Sequence, residues 1–279
     1  MSEMESCEGS AMNDLINSEL INVKLTDSIQ RISINRPDKM NSITSPMYHA
    51  LANALLAADE NPQVRVIYLC AEGKHFCAGN DLTAFMESIA DETGAAALEI
   101  MQPPKRLLLQ LARLKKPLVI ALKGMAVGIG ATMVLHADIA YADTSTRFIL
   151  PFINLGLTPE GGCSQLLPQR IGQVRAAELL MLGEPFSAQQ AAELGLINAV
   201  CEPDELDARA WGCALKLASK PPEALRAVKA ALRQNAQPPL ETVICSELQL
   251  LAGRFSSPEA KEALSAFAAK RSPDFSRFR

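Results

Sequence analysis

The segment PLVIALKGMAVGIGATMVLHADIAYA, from Pro117 to Ala142, decides the fold of this chain. Its first part, Pro117–Leu122, is an uninterrupted apolar run that predicts a buried parallel strand. Three glycines follow between Gly124 and Gly130 and predict a tight turn, and the apolar residues Ala131–Leu135 predict a buried helix. Because a strand, a glycine turn and a helix can aim free backbone N–H groups at one point, this segment predicts a site that stabilises an anion.

A carboxylate follows in the segment RFILPFINLGLTPEGGCS, from Arg147 to Ser164. Glu160 stands between Pro159, which fixes its own φ, and two glycines that allow a close approach of the backbone. Two interpretations are open for Glu160: a solvated loop residue, or a base beside the anion site. An anion site and a nearby carboxylate suffice to remove a proton α to a carbonyl, because one holds the oxyanion and the other takes the proton.

The composition excludes several classes of protein. The chain has 279 residues, 48% of them hydrophobic, and a net charge of -4, which is typical of a globular protein with a sizeable core. The weak negative charge argues against nucleic acid as a partner, and no apolar run is long enough to predict insertion into a membrane. The N-terminus is not typical of a signal or transit peptide, and the C-terminus is no peroxisomal signal, so we expect a cytoplasmic location.

The seven cysteines and three histidines do not show the spacing of a metal site. We interpret the cysteines as reduced thiols, most of them in the core. Each histidine is interpreted as structural rather than catalytic, and no metal is expected. The histidines are His49, His75 and His136.

Strand–turn–helix units come first along the chain and helices come last, which predicts an α/β fold with a helical C-terminal part. Two strands are expected around the polar turn at Asp27, and Ser45-Pro46 predicts the start of a helix. A long helix is expected over about residues 95–113, with an interruption at Pro103-Pro104. The predicted division is a flexible leader (1–18), a core (19–200) and a helical region (201–279).

From Val23 to its C-terminus the chain resembles the crotonase, or enoyl-CoA hydratase/isomerase, superfamily. The resemblance rests on five segments in the expected order: INRPDKMNSIT, GKHFCAGNDL, LKGMAVGIGATMVLHADIAYA, FSAQQAAELGLINAV and AKRSPDF. It implies a spiral of ββα units, a helical C-terminal trimerisation region, and assembly into homotrimers or hexamers. It also implies acyl-CoA substrates, so that coenzyme A is part of the substrate and no separate cofactor is expected.

The same resemblance implies roles for individual residues. The backbone N–H groups of Asn80 and Ile129 are expected to form the oxyanion hole. The acyl pocket is expected to include Thr132, Phe152 and Leu155. Expected contacts with coenzyme A come from Arg36, Lys39, Ala78, Leu82 and Lys229. Lys229 is expected to reach the coenzyme A of a neighbouring subunit, and Lys74 is a further candidate for the phosphates, although a solvated surface lysine is the commoner case.

The chain departs from the hydratases of the superfamily, which use two glutamates. Thr132 stands at one of these positions and Phe152, after Pro151, at the other. Neither side chain can serve as a general acid or base, which argues against hydration. Instead, LGLTPEGGCS resembles the branch that converts 3-enoyl-CoA to 2-enoyl-CoA in fatty acid β-oxidation, where a single glutamate does the chemistry; Glu160 occupies that position.

Other interpretations remain open. One is a different crotonase-type rearrangement, for example of a cyclic or aromatic-derived acyl-CoA, or an enzyme that resembles the hydratases. Another is a homologue that binds coenzyme A without catalysis. A dinucleotide-binding module is disfavoured, because Gly124, Gly128 and Gly130 give G-x-x-x-G-x-G rather than G-x-G-x-x-G.

Overall fold

The computed structural model describes residues 19–81, 99–234 and 238–278. The predicted leader, Leu82 and the first part of the predicted long helix therefore lie outside the described residues. None of the helices within the described ranges is long and apolar enough to span a bilayer.

The described strands form two sheets. The strands are β1 (Ile21–Thr26), β2 (Ile29–Ile34), β3 (Val66–Ala71), β4 (Leu118–Leu122), β5 (Met125–Val127), β6 (Ile139–Asp143), β7 (Arg147–Ile149), β8 (Phe186–Ser187) and β9 (Ala199–Cys201). The larger sheet has the order β1-β2-β3-β4-β6-β9, and the smaller has the order β5-β7-β8. All pairs in the larger sheet are parallel except the hairpin β1-β2, whose turn residues Asp27 and Ser28 have positive φ. The predicted hairpin and the predicted central strand are confirmed.

Helices cover both faces of the larger sheet. They are α1 (Ser45–Glu60), α2 (Gln102–Arg113), α3 (Ile129–Thr132), α4 (Cys163–Ile171), α5 (Gln173–Leu182), α6 (Ala188–Glu193), α7 (Leu206–Ala218), α8 (Pro222–Arg233), α9 (Leu240–Phe255) and α10 (Pro258–Ala268). Short 3₁₀ turns occupy Pro37–Lys39, Met133–His136 and Ile153–Leu155. This mixed architecture is the predicted α/β fold with a helical C-terminal part.

The strand β3 shows why the sheet is buried on both sides. Alternate side chains of a strand point to opposite faces. Tyr68 and Cys70 pack against α7 with Ala210 and Ala214, whereas Leu69 joins the main core below α1. Every residue of β3 and β4 is therefore buried, as expected of parallel strands between two helical layers. This packing fixes the carboxyl ends of the two strands, from which the loops of the candidate site emerge.

The structure confirms one local prediction and corrects two. Residues 99–100 are helical, Met101 is a turn and α2 begins at Gln102, so the helical segment is interrupted just before Pro103 and Pro104, as predicted. The two prolines lie in the first turn of α2, where a proline displaces only an N–H that has no intrahelical acceptor. The predicted helix over 131–135 is instead the short helix α3 followed by a 3₁₀ turn. Thr44, rather than Ser45, is the N-cap residue of α1, although its side chain makes no capping hydrogen bond.

The loop after β3 runs alongside β5, so that two backbones touch. The N–H of Cys77 donates to Met125 O (2.9 Å), and the N–H of Val127 donates to Cys77 O (2.9 Å). A Cβ atom added at Gly130 would lie 2.5 Å from Cys77 O and 2.8 Å from Cys77 Cβ. Only glycine fits at position 130 without moving one of the two segments.

We predict that Gly130→Ala lowers stability by about 1 to 3 kcal/mol, because the added methyl group meets backbone that cannot rotate away. The matched control is Gly212→Ala in the middle of α7, where an added Cβ meets nothing within 4 Å. That change should raise stability by about 0.5 to 1 kcal/mol through the higher helix propensity of alanine. Urea unfolding followed by circular dichroism measures both; equal stability of the two variants would contradict the packing described for Gly130.

Candidate active site

Two loops meet at the carboxyl ends of β3 and β4. Gly79, with φ +95°, lies against β5 so closely that an added Cβ would be 3.2 Å from Val127 O. Gly130 lies against Cys77 in the same way. These close approaches bring Asn80 and Ile129, which follow and precede the two glycines, to the same place.

Two backbone N–H groups at this place have no acceptor among the described residues, those of Asn80 and Ile129. The neighbours of Asn80 are paired: Ile43 N–H donates to Gly79 O (2.8 Å), and Asp81 N–H donates to Ile43 O (3.0 Å). The Asn80 N–H therefore points to the other edge of this short strand-like segment. Ile129 is the first residue of α3, where an N–H has no intrahelical acceptor. The pair forms a set of donors suited to an oxyanion.

Glu160 is buried, with 2% of its surface exposed. It precedes Gly161 and Gly162, both with positive φ, and an added Cβ at Gly161 would lie 3.0 Å from Thr132 Cβ. The Thr132 hydroxyl is 3.5 Å from Glu160 Oε1 and 3.3 Å from Ile129 O. The Thr132 hydroxyl thus connects Glu160 to the short helix that begins at Ile129. Its Oε2 atom has no hydrogen-bond partner in the described residues.

The surroundings of Glu160 favour its neutral form. The pKa of its carboxyl is raised to about 8, chiefly by burial and also by the negative charge of Glu247, against the opposing effect of the weak hydrogen bond from Thr132. A carboxylate with a pKa near neutrality is a stronger base than a solvated one and can still release its proton. In this arrangement, the Glu160 carboxylate can take a proton from a carbon next to an oxyanion and return it.

Comparison with known proteins identifies the family. The family model described as "Enoyl-CoA hydratase/isomerase" matches residues 24–277. The chain belongs to this family. It is 36% identical to the 1,2-epoxyphenylacetyl-CoA isomerase of Escherichia coli strain K12, over 92% of this chain and 98% of that protein. It is 34% identical to the 2,3-dehydroadipyl-CoA hydratase of the same strain, with the same shares covered.

Solved structures of the family agree. The crystal structure of an enoyl-CoA hydratase/isomerase from Pseudoalteromonas atlantica T6c superposes with a TM-score of 0.84 at 34% identity. The superposition covers 92% of this chain and 99% of the other. Both the matched family model and this structure place the chain in the crotonase superfamily, in which isomerases and hydratases occur side by side.

Thr132 and Phe152 stand at the two positions where the sequence resemblance implies glutamates in hydratases. Thr132 is completely buried and contacts Glu160. Phe152 is 7% exposed and belongs to the main hydrophobic core, and Leu155 lies partly buried in the 3₁₀ turn that follows. Among the site residues predicted from the sequence, Glu160 is therefore the acidic one that the structure places near the N–H groups of Asn80 and Ile129.

Sequence reasoning missed Tyr48. This residue lies on α1, is 3% exposed, and donates its hydroxyl hydrogen to Asn80 Oδ1. Burial and the charge of Glu160 raise the pKa of Tyr48 well above its usual value. Tyr48 and Asn80 line a pocket of about 440 Å³ together with Met101 and Pro104. No local pattern marks Tyr48, because its importance comes from a contact with a loop far along the chain.

The predicted contacts with coenzyme A occupy different settings. The Arg36 guanidinium lies 2.7 Å from Asp81 Oδ2 and 3.0 Å from Ser42 Oγ, so it ties its own segment to the residue that follows Asn80. The Ala78 N–H donates to the backbone of Met40. Lys39 and Lys74 are exposed.

Lys229 is not at the surface. It is 5% exposed, and its ammonium lies 2.6 Å from both Asp138 Oδ2 and Lys116 O. The prediction that Lys229 extends to the coenzyme A of a neighbouring subunit does not fit this placement, because the ammonium is held inside its own subunit. Its basic side chain and position on an amphipathic helix gave no sign of these buried partners.

We predict that Glu160→Gln stabilises the protein increasingly as the pH rises. Between pH 4.5 and about pH 8, the folded chain keeps a proton on Glu160 that the unfolded chain has lost, because folding raises the pKa of this carboxyl from 4.5 to about 8. Stability of the wild type therefore falls across this window by as much as about 1.4 kcal/mol per pH unit, and the variant escapes the loss. Urea unfolding at several pH values measures the difference.

The control for this experiment is Glu184→Gln, which removes an exposed carboxyl. Its stability should stay parallel to that of the wild type at every pH. A Glu160→Gln variant that also stays parallel would show that Glu160 titrates as a solvated group.

Proposed function

We propose that this chain is an enoyl-CoA isomerase that moves a double bond from the 3- to the 2-position of an enoyl-CoA. The observation that carries the proposal is the buried carboxyl of Glu160, whose Oε2 has no partner among the described residues and which contacts Thr132 on the helix that begins at Ile129. Such a site provides one base and one oxyanion hole, which is all that a 1,3 proton shift needs.

In the proposed reaction, the thioester carbonyl oxygen accepts hydrogen bonds from the two N–H groups. Glu160 takes the proton from C2, and the electron pair of that C–H bond moves to give a dienolate whose charge rests on the thioester oxygen. Glu160 then gives the same proton to C4, the double bond forms between C2 and C3, and the carbonyl is restored. The reaction is balanced and requires no group beyond the coenzyme A of the substrate.

The energetic demands fit the residues. One backbone donor to an oxyanion typically lowers the activation barrier by about 3 kcal/mol. The raised pKa of Glu160 brings its basicity closer to that of the carbon acid, which improves proton transfer. Hydration would need a second acid or base to activate water, and Thr132 and Phe152 stand at the positions where hydratases of the family carry one.

A second candidate is the rearrangement of a cyclic or aromatic-derived acyl-CoA. It is supported by the 36% identity with the Escherichia coli 1,2-epoxyphenylacetyl-CoA isomerase. This reaction would use the same oxyanion hole and a differently shaped acyl pocket.

The wider setting is also part of the proposal. We propose that the chain works as a homotrimer or hexamer in the cytoplasm, in fatty acid β-oxidation. Lys39 and Lys74 are the exposed lysines proposed to contact the phosphates of coenzyme A. Arg36 and Ala78 are proposed to shape the adjoining loop.

We predict that the protein isomerises 3-hexenoyl-CoA and hydrates crotonyl-CoA little or not at all. Glu160→Gln should lower the isomerase turnover by about 10²-fold or more, because the amide cannot take the proton. Affinity for coenzyme A, measured by calorimetric titration, should change little, since Glu160 faces the acyl group. Glu184→Gln is the control and should match the wild type.

Turnover by Glu160→Gln at the wild-type rate would exclude Glu160 as the base. If the wild type converts neither substrate, an assay with ring-containing acyl-CoA substrates tests the second candidate. Binding of coenzyme A without turnover of any of these would indicate the homologue without catalysis.

A further inference from the structure

A second buried carboxylate, that of Glu247, lies below the turn that carries Glu160. Glu247 is on α9, on the same buried face as Ile244, Leu248 and Leu251, and is 6% exposed. Its Oε2 accepts the N–H of Gly162 at 2.6 Å. Its Oε1 accepts the N–H and the hydroxyl of Ser164, at 2.8 and 2.5 Å.

We propose that Glu247 is a positioning residue for Glu160, which it serves by clamping the turn after Glu160 and by setting a fixed negative charge beside it. The inference rests on the proposed role of Glu160 as the base. It gives a role to a residue of the C-terminal helical region that contacts no part of the oxyanion hole.

The clamp acts together with two other contacts on the same turn. The His136 Nε2–H donates to Gly161 O at 2.8 Å, and Gly161 packs against Thr132. Glu247 holds the next residue, Gly162, from the opposite end of the peptide unit. With Gly161 and Gly162 held in this way, the Glu160 carboxyl keeps one oxygen, Oε2, unpaired among the described residues.

The hydrogen bonds decide which carboxylate carries the charge. Glu247 accepts three hydrogen bonds from Gly162 and Ser164, whereas Glu160 has one long contact with Thr132. Hydrogen bonds to a carboxylate favour its ionised form, and two close carboxylates do not ionise independently. Burial raises the pKa of both carboxyls, but the three hydrogen bonds oppose this rise at Glu247, so Glu247 ionises first and Glu160 keeps its proton to higher pH.

The other titratable groups that face Glu160 are neutral near pH 7. They are Tyr48 on α1, Cys77 in the loop after β3 and Cys163 on α4. Burial raises the pKa of the Cys77 thiol to about 12 and those of Tyr48 and Cys163 well above their usual values. Within the described residues, Glu247 is therefore the charged group that acts on Glu160.

The test compares Glu247→Gln with a matched control on the same helix, Glu241→Gln. Glu241 lies in the first turn of α9 and pairs with Arg113 at the surface. Both variants lose one negative charge, but only the first loses it beside Glu160. The direct measurement is a ¹³C NMR titration of protein labelled at the glutamate side-chain carboxyl, with the Glu160 signal assigned by its absence from Glu160→Gln.

We expect the titration midpoint of Glu160 to fall by about one to two pH units in Glu247→Gln and to stay unchanged in Glu241→Gln. The pH profile of isomerase turnover should follow, with its acidic limb displaced to lower pH in Glu247→Gln only. A midpoint that stays at the wild-type value in a folded Glu247→Gln protein would overturn the proposal.

The titration needs no turnover, so it decides the role of Glu247 even if 3-hexenoyl-CoA is not a substrate. The titration also tests the role of Glu247 if the Glu247→Gln variant does not fold. In that case the wild-type protein is titrated, and the Glu247 signal must titrate at lower pH than the Glu160 signal. The opposite order would overturn the proposal.

Discussion

The contact between two stretches of backbone at Gly79 and Gly130 is the constraint on which the site depends. It exists because β3 and β4 are parallel neighbours, so the loops that leave their carboxyl ends start side by side. Hydrogen bonds between Cys77 and β5 then hold the loops together without side chains. The resulting N–H pair of Asn80 and Ile129 is a property of chain direction and spacing, which tolerates many side chains at both positions.

Negative charge is the common element of the candidate site. A thioester oxygen that becomes an enolate, the base Glu160 and the clamp Glu247 would each carry one in a low-dielectric interior, where their mutual repulsion is strong. The arrangement avoids this by giving each charge its own donors: free N–H groups for the oxyanion, and Gly162 and Ser164 for Glu247. Glu160 receives only one long hydrogen bond, from Thr132, and its raised pKa lets the carboxyl both take up and release a proton near neutral pH.

Much of the fold follows from local sequence patterns. The apolar run 117–122, the positive-φ turn at Asp27 and the glycines around Glu160 each specify a conformation through a few adjacent residues, and the structure has these features. The interruption before Pro103 is likewise local, because a proline is tolerated in the first turn of a helix and disfavoured in its interior.

The parts of the site that escaped prediction depend on contacts between distant residues. Tyr48 meets Asn80 through a fold that no local pattern encodes, and the buried Lys229 pairs with Asp138, 91 residues earlier in the chain. Glu247 did leave a signal, since a carboxyl on the apolar face of a helix needs a buried partner. The sequence alone could not name that partner as the backbone of Gly162 and Ser164.

The clamp of Glu247 also has a consequence for biosynthesis. Glu247 lies 85 residues beyond Gly162, so the turn that carries Glu160 emerges from the ribosome well before the helix that holds it. At typical rates of translation, roughly 5 to 20 residues per second, the delay is several seconds. During that interval strands β1 to β7 and the loops that carry Asn80 and Ile129 can already form, while Glu160, the proposed base, remains on an unfastened turn. The proposed catalytic geometry is therefore among the last features that a nascent chain acquires.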